Sequence, residues 1–257
     1  MSNAANNPVH NLAVQMYSLR ELTQPLDDTL REVAAAGYEG IETVGTQGVS
    51  ADELKALLEK HGLKVASSHV ALDAFEADPE GVIAFNKAVG NDTVIVPWIA
   101  PDARSDRAAD WQTLGTRLGT LAAACDAAGM TLLYHNHDFE MQEIEGKTAL
   151  AWLLAGAGNL GLELDLAWVV RGGKDPLELL GAFTGRVKRV HVKDIAPAGG
   201  NEDEDGWADV GSGTLDWNAL LSASRAAGAE WFVVEHDKPK DPLTSIRNSA
   251  NYLKGKL

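Results

Sequence analysis

The stretch Ala122–Glu140, "AAACDAAGMTLLYHNHDFE", decides how the chain is read. It opens as the end of a helix, with Gly129 as the stop signal after Ala-Ala. The apolar run "MTLLY" follows, too short for a helix and suited to a buried strand. The run ends on His135, Asn136, His137, Asp138 and Glu140, a density of polar chemistry that packing does not call for. Helix, glycine, buried strand and polar strand end together make the unit of a parallel α/β fold.

Working outward, the unit recurs. Ala-Ala also precedes Gly37 and Gly228, each just before an apolar run. Eight such runs begin at Leu12, Tyr38, Leu63, Asp92, Met130, Leu160, Val187 and Trp231. Helical stretches, about eight of them, alternate with the runs. In "SADELKALLEKHG" Ser50 is the expected N-cap, Glu53 completes a capping box and Gly62 is the stop. This alternation predicts an α/β fold, a (β/α)8 TIM barrel of about 250 residues, as a single domain over residues 12–257. An open doubly wound sheet would want a Gly-rich loop after the first strand, and "QMYSLRELTQP" has none. Residues 1–11 are expected to be a poorly ordered tail. They lack the basic and apolar regions of a signal peptide, so a cytoplasmic location is expected.

The formal net charge of -15 argues against nucleic acid or an anionic membrane as partner. No apolar run approaches the roughly 20 residues that span a bilayer. The single cysteine, Cys125, falls on one helical stripe with Leu114, Leu118 and Leu121 and reads as a packing residue. A homo-oligomer is neither required nor excluded.

A barrel carries its site at the C-terminal ends of its strands. Residues with ligand chemistry fall there: Glu42 on the second, His69 on the third, His135 and His137 on the fifth, Asp165 on the sixth, His191 and Lys193 on the seventh, Glu235 on the eighth. Alternation puts His135 with His137, and His191 with Lys193, on one face, and turns Val190 and Val192 toward the helices. Taken singly, each histidine is more often a satisfied core or surface group. One His, Asp or Glu at matched height on each of four consecutive strands instead suits one divalent metal ion: Mn, Zn, Co or Fe, with Mg less well matched.

At these strand ends the chain resembles the xylose isomerase-like TIM barrels, the sugar phosphate isomerase/epimerase superfamily, over essentially its whole length. The resemblance is carried by "GYEGIETVG", "LYHNHDFE", "LGLELDLAW", "VKRVHVKD", "VGSGTLDW" and "VVEHD". It implies a metal held by Asp165, His191, Glu235 and a strand-five residue. Strand five departs from the pattern, with His135-Asn136-His137 where many members carry a Glu before Asn-His. The metal role then passes to His135, with His137 and Glu140 as alternates.

The resemblance implies a sugar, keto-sugar or polyol substrate and proton abstraction next to a carbonyl. Isomerisation or epimerisation is the leading expectation. Dehydration of a keto-sugar or inosose is the alternative, because one carboxylate facing a histidine suits elimination. Glu235, His137, Glu140 and Lys193 are the expected catalytic residues. Glu42, His69, Trp98, Asn136 and Trp168 are expected at the substrate. Trp168 replaces a substrate-contacting His of many epimerases and reads as a sugar platform or as core packing, as does Trp207. Glu163 shares the parity of Asp165 one step deeper and reads as a hydrogen-bonded barrel residue. The acidic run "NEDED", residues 201–205, reads as a solvated loop or a lid. Two rival readings are an endonuclease IV-like phosphodiesterase, which needs more histidines, and a non-catalytic carbohydrate-binding barrel.

Overall fold

The computed structural model describes residues 9–257. Eight parallel strands close into a barrel: β1 Val9–Gln15, β2 Tyr38–Val44, β3 Lys64–His69, β4 Thr93–Val96, β5 Thr131–His135, β6 Gly161–Asp165, β7 Val187–Val192 and β8 Trp231–Val234. Each strand pairs with its neighbours in sequence, and β1 closes the ring against β8 with Val14 beside Val234. The fold is therefore the single α/β barrel that the alternation predicts. Residues 9–11, expected in the tail, form the start of β1; the rest of that expectation, residues 1–8, lies outside the described residues.

Ten α-helices among the described residues cover the barrel: α1 Leu26–Ala36, α2 Ala51–His61, α3 Leu72–Ala77, α4 Pro79–Ala88, α5 Ala108–Ala127, α6 Ala149–Ala155, α7 Leu166–Arg171, α8 Pro176–Ala182, α9 Trp217–Ala227 and α10 Pro242–Leu253. The capping signals act as their chemistry requires. Ser50 Oγ accepts from Glu53 N at 3.2 Å, and Gly62 closes α2 in the left-handed region. On α5, Leu114, Leu118, Leu121 and Cys125 are all buried, and burial pushes the Cys125 thiol up to about 12.

The main apolar core lies between barrel and helices, where Val190, Val192, Leu162 and Leu164 point. Inside the barrel the apolar filling is thin: Ala13, Ala66 and Val233, with the Trp231 ring packed against them. Gly40 makes room for that ring, since a Cβ there would lie 3.2 Å from it and 2.9 Å from the Lys64 carbonyl. Farther toward the C-terminal ends, the inward residues are polar: Gln15, Glu42, Ser67, His69, Glu163 and His191 are all buried.

The long connection after β7 is ordered around Asp194. Its carboxylate accepts from Gly211 N at 2.9 Å, Leu215 N at 3.2 Å and Trp217 Nε1 at 3.1 Å. A Cβ at Gly213 would collide with that carboxylate. The paired "VKD" and "GSGTLDW" segments are therefore a structural knot: a buried acid and the glycine-rich turn that wraps it. Asp194–Ile195 and Trp207–Ala208 form a short antiparallel ribbon. The acidic run between them is clasped to the chain after β8, with Asp203 2.6 Å from Lys240 Nζ, Asp205 3.1 Å from Lys238 Nζ, and Glu204 Oε1 accepting from Lys240 N at 2.8 Å. The run is largely exposed, as a solvated loop is, and only its Asp205 reaches the cavity over the strand ends, where the loop forms a lid-like edge.

Candidate active site

A layer of paired acids and imidazoles lies inside the barrel. Glu42 is fully buried; its carboxylate accepts from Gln15 Nε2 at 2.6 Å and from the Ser67 hydroxyl. Its Oε1 also meets His191 Nε2 at 2.7 Å and His69 Nε2 at 2.9 Å. Glu163 Oε2 completes the square, 2.7 Å from His69 Nε2 and 3.1 Å from His191 Nε2. Burial opposes charge on Glu42, but the facing His69 and His191 overcome it and hold its carboxyl well below the usual range. Burial likewise opposes protonation of His69, and Glu42 with Glu163 raises it to about 9.

Above this layer four strand ends converge. One donor atom each from His135, Asp165, His191 and Glu235 lies within 4.8 Å of all the others, and all four residues are buried. His191 uses its two nitrogens differently. Nε2 faces the deep acids, and Nδ1 faces Glu235 Oε2 at 3.0 Å and Asp165 Oδ2 at 3.8 Å. Lys193, fully buried, spans the acids: its Nζ is 2.8 Å from Glu235 Oε2, 3.4 Å from Asp165 Oδ2 and 2.9 Å from each Asp237 oxygen. Burial drives the His135 imidazole well below its ordinary value, with His191 second, which suits a metal ligand. On His191 burial is overcome by the facing Glu163, Glu235 and Glu42, which raise it, so it would give up its Nδ1 proton to an ion.

This cluster fits a cation. Among the described residues, the buried side-chain polar atoms without a hydrogen-bond partner are His135 Nδ1, His137 Nδ1, Glu163 Oε1 and Asp165 Oδ2, all in this one region. Orphaned buried polar atoms are rare and costly, and two of these four belong to His135 and Asp165 of the cluster. The carboxylates of Glu42, Glu163, Asp165, Glu235 and Asp237 also outnumber the positive charges of Lys193, His69 and His191. Burial pushes the Asp165 and Glu163 carboxyls upward, as that excess of acid predicts.

A cavity of about 600 Å³ opens over the cluster. Its lining includes His69, His135, His137, Trp168, Glu235 and Asp237, together with Trp98 at the mouth. Several expected site residues lie elsewhere. Glu42 is buried in the deep layer, with its carboxylate spent on His191, His69, Gln15 and Ser67, and does not line the cavity. Asn136 is a latch between β5 and β6: its Oδ1 accepts from Asp165 N at 3.0 Å and its Nδ2 donates to Asp165 O at 3.2 Å. Glu140 turns away, accepting from Tyr134 Oη at 2.5 Å and from His137 N at 2.8 Å, so it shapes the β5 turn and reaches neither cavity nor cluster. Lys193 sits behind the acids that it bridges.

Trp168 lines the cavity with its ring 5.1 Å from that of His137, while the buried Trp207 backs it edge-on at 4.8 Å. Trp207 thus packs behind Trp168 and does not line the cavity itself. Asp237 is a cavity residue that sequence reasoning missed. It shares the parity of Glu235 in "VVEHD", a signal that was available.

Set against known proteins, residues 30–256 match the family model of the xylose isomerase-like TIM barrel, and the chain belongs to that family. Its relatives include an inosose dehydratase from Lacticaseibacillus casei, 22% identical over 244 residues that cover 82% of each chain. Among solved structures, a sugar phosphate isomerase/epimerase from Parabacteroides distasonis superposes with a TM-score of 0.81 at 21% identity, covering 99% of this chain and 96% of the other. The IolI protein with a bound zinc atom superposes with a TM-score of 0.74 at 18% identity over 95% and 97% of the two chains. At these identities the structural likeness speaks to fold alone. No described helix is long and apolar enough to cross a membrane.

Proposed function

We propose that the protein is a divalent-metal-dependent lyase that eliminates water from a keto-sugar or inosose, with Glu235 as the base. One observation carries the reading: carboxylates face the cavity from one side only. Glu235 and Asp237 follow β8 and Asp205 comes from the lid, whereas β3 and β5 present His69, His135 and His137. With Glu140 turned away, no second carboxylate among the described residues lines the cavity across from Glu235 to return a proton to the opposite face. His137 is a weak substitute, because burial, then Lys193, lowers it to about 3. Elimination needs one base and one proton donor on the leaving oxygen.

Burial opposes charge on Glu235, yet Lys193 and His191 hold its carboxyl well below the usual range, so it is ionised. Its Oε2 is engaged by Lys193 and His191, which leaves Oε1 for a substrate proton. Asp237, raised by burial against the pull of Lys193, is placed to protonate the departing hydroxyl. Trp168 offers its face to the ring. His135, Asp165, His191 and Glu235 would hold the ion, which supplies Lewis acidity to a carbonyl oxygen when bound. The mixed nitrogen and oxygen donors favour Mn, Zn, Co or Fe over Mg. The inosose dehydratase relatives support this reading over the isomerase or epimerase that the sequence put first.

The test is scyllo-inosose in D2O with the Mn²⁺-loaded protein. Water loss, followed by the ultraviolet absorbance of the conjugated product and abolished in Glu235→Gln, is the expected result. Deuterium exchange or epimer formation without water loss would put the epimerase reading in its place.

A further inference from the structure

The cavity is larger, and its mouth more apolar, than one polyhydroxylated ring calls for. At roughly 30 Å³ per water, 600 Å³ has room for about twenty waters, and one six-membered keto-sugar displaces roughly a third of them. The surplus lies outward, over the ends of β1 to β4. There the lining is Tyr17, Val44, Ala71, Pro97 and Trp98. Of the four large hydrophobic side chains exposed among the described residues, three are on this lip: Tyr17 at 42%, Val44 at 44% and Trp98 at 45%. Scattered exposed apolar residues need no explanation, but a contiguous set on the rim of a polar site does.

The two aromatic rings are held in place without being covered. Arg20 packs on Tyr17 with its Cζ 3.8 Å from the ring centre, and its Nη1 donates to Tyr17 O at 2.7 Å. Arg104 lies 5.3 Å over Trp98 and 3.6 Å over Phe139. Each ring thus has a fixed orientation and an open surface, as a stacking platform requires. The rim is divided accordingly. Strands β5 to β8 supply the acids and imidazoles of the metal cluster, and β1 to β4 supply the apolar lip.

We infer that the lip is a subsite for a second ring, sugar or aryl, joined through oxygen to the ring at the metal cluster, so that the substrate is a keto-glycoside. The inference rests on the lyase reading for its chemistry and on the lip for its binding. In the reaction Glu235 takes the proton next to the carbonyl, the β C–O bond to the second ring breaks, and the departing oxygen takes a proton from Asp237. The products are a conjugated enone and the second ring as its free alcohol, with no oxidant or reductant consumed.

The test compares methyl and phenyl 3-keto-β-D-glucopyranoside by calorimetry on the Mn²⁺-loaded Glu235→Gln protein, in which binding is read without turnover. The phenyl compound should bind about ten-fold tighter, the scale of one good aromatic contact. Tyr17→Ala and Trp98→Ala, added in turn, should each shrink that ratio, and together bring it near one, with the circular dichroism of the fold unchanged. Equal affinity for the two ligands, or a ratio that survives both substitutions, would overturn the subsite. If the parent protein turns over neither compound while the phenyl preference persists, elimination from a keto-glycoside falls and the subsite stands; water loss from scyllo-inosose remains the separate test of the lyase reading.

Discussion

At the scale of single residues, the clearest assignment is Glu42 as a positioning group. It grips His191 Nε2 and so aims Nδ1 at Asp165 and Glu235. Such carboxylate–histidine contacts typically set metal affinity by about 10- to 100-fold. Glu42→Gln should therefore weaken Mn²⁺ binding by that order in competition with a fluorescent chelator, while the thermal melt of the metal-free protein stays cooperative; unchanged affinity would refute the role. Glu140 makes a prediction about pH. Burial, partly offset by its bonds from Tyr134 and His137, raises its carboxyl from 4.5 to about 7. The folded state then holds a proton that the unfolded chain gives up, so this group's contribution is intact below about 4.5 and is lost as pH rises through about 7. Urea unfolding of Glu140→Gln against the parent should show the variant gaining relative stability, by up to about 3 kcal/mol, between pH 5 and 8. The family resemblance chose the proposed ligands over His137 and Lys193; alternation along strands only brought His135, Asp165, His191 and Glu235 to one rim. It failed for Asn136 and Glu140 because both lie in the turn beyond β5, where side-chain direction follows local hydrogen bonds and not a period of two. Glu42 kept the right parity, but parity does not say how deep a residue sits.

At the scale of elements, the lid and its knot differ in strength. Asp194 satisfies four donors in a buried setting, Ile195 N included, so Asp194→Ala leaves them unpaired. That change should cost about 3 kcal/mol or more in denaturant unfolding; a loss under 1 kcal/mol would mean that the loop orders without it. The clasp of Asp203, Glu204 and Asp205 on Lys238 and Lys240 is exposed, and such pairs contribute only about 0.2 to 1 kcal/mol each. Lys238→Ala with Lys240→Ala, or added salt, should therefore speed proteolytic cutting within residues 196–206 several-fold with little change in the melting temperature. Equal cutting rates would show that the lid is held by Trp207 under Arg171 instead. The elements themselves were legible because most helices end at or beside a glycine, as α1, α2 and α9 do, and most strands are short apolar runs. The lid's ordering was not, since it depends on lysines that lie more than thirty residues away.

For the whole molecule, a metal that binds only the folded barrel must stabilise it. At a free concentration one hundred times Kd the gain is about 2.7 kcal/mol, a rise of roughly 5 to 10 °C for a chain of this size. Mn²⁺ or Zn²⁺ should produce that rise in the parent and lose most of it in His135→Ala; no shift with either ion would argue against a resident metal. The split rim has a consequence for descent. Chemistry sits on one half of the ring and the surface that greets the outer part of a ligand on the other. Residues past the ends of β1 to β4 can then drift, lengthen or be exchanged between relatives while the reaction is inherited intact. The strands beneath them cannot, because Glu42 and His69 reach across the interior to His191 and Glu163. Natural variation in ligand choice should accordingly concentrate at positions such as Tyr17, Val44 and Trp98, one step beyond the cross-linked interior.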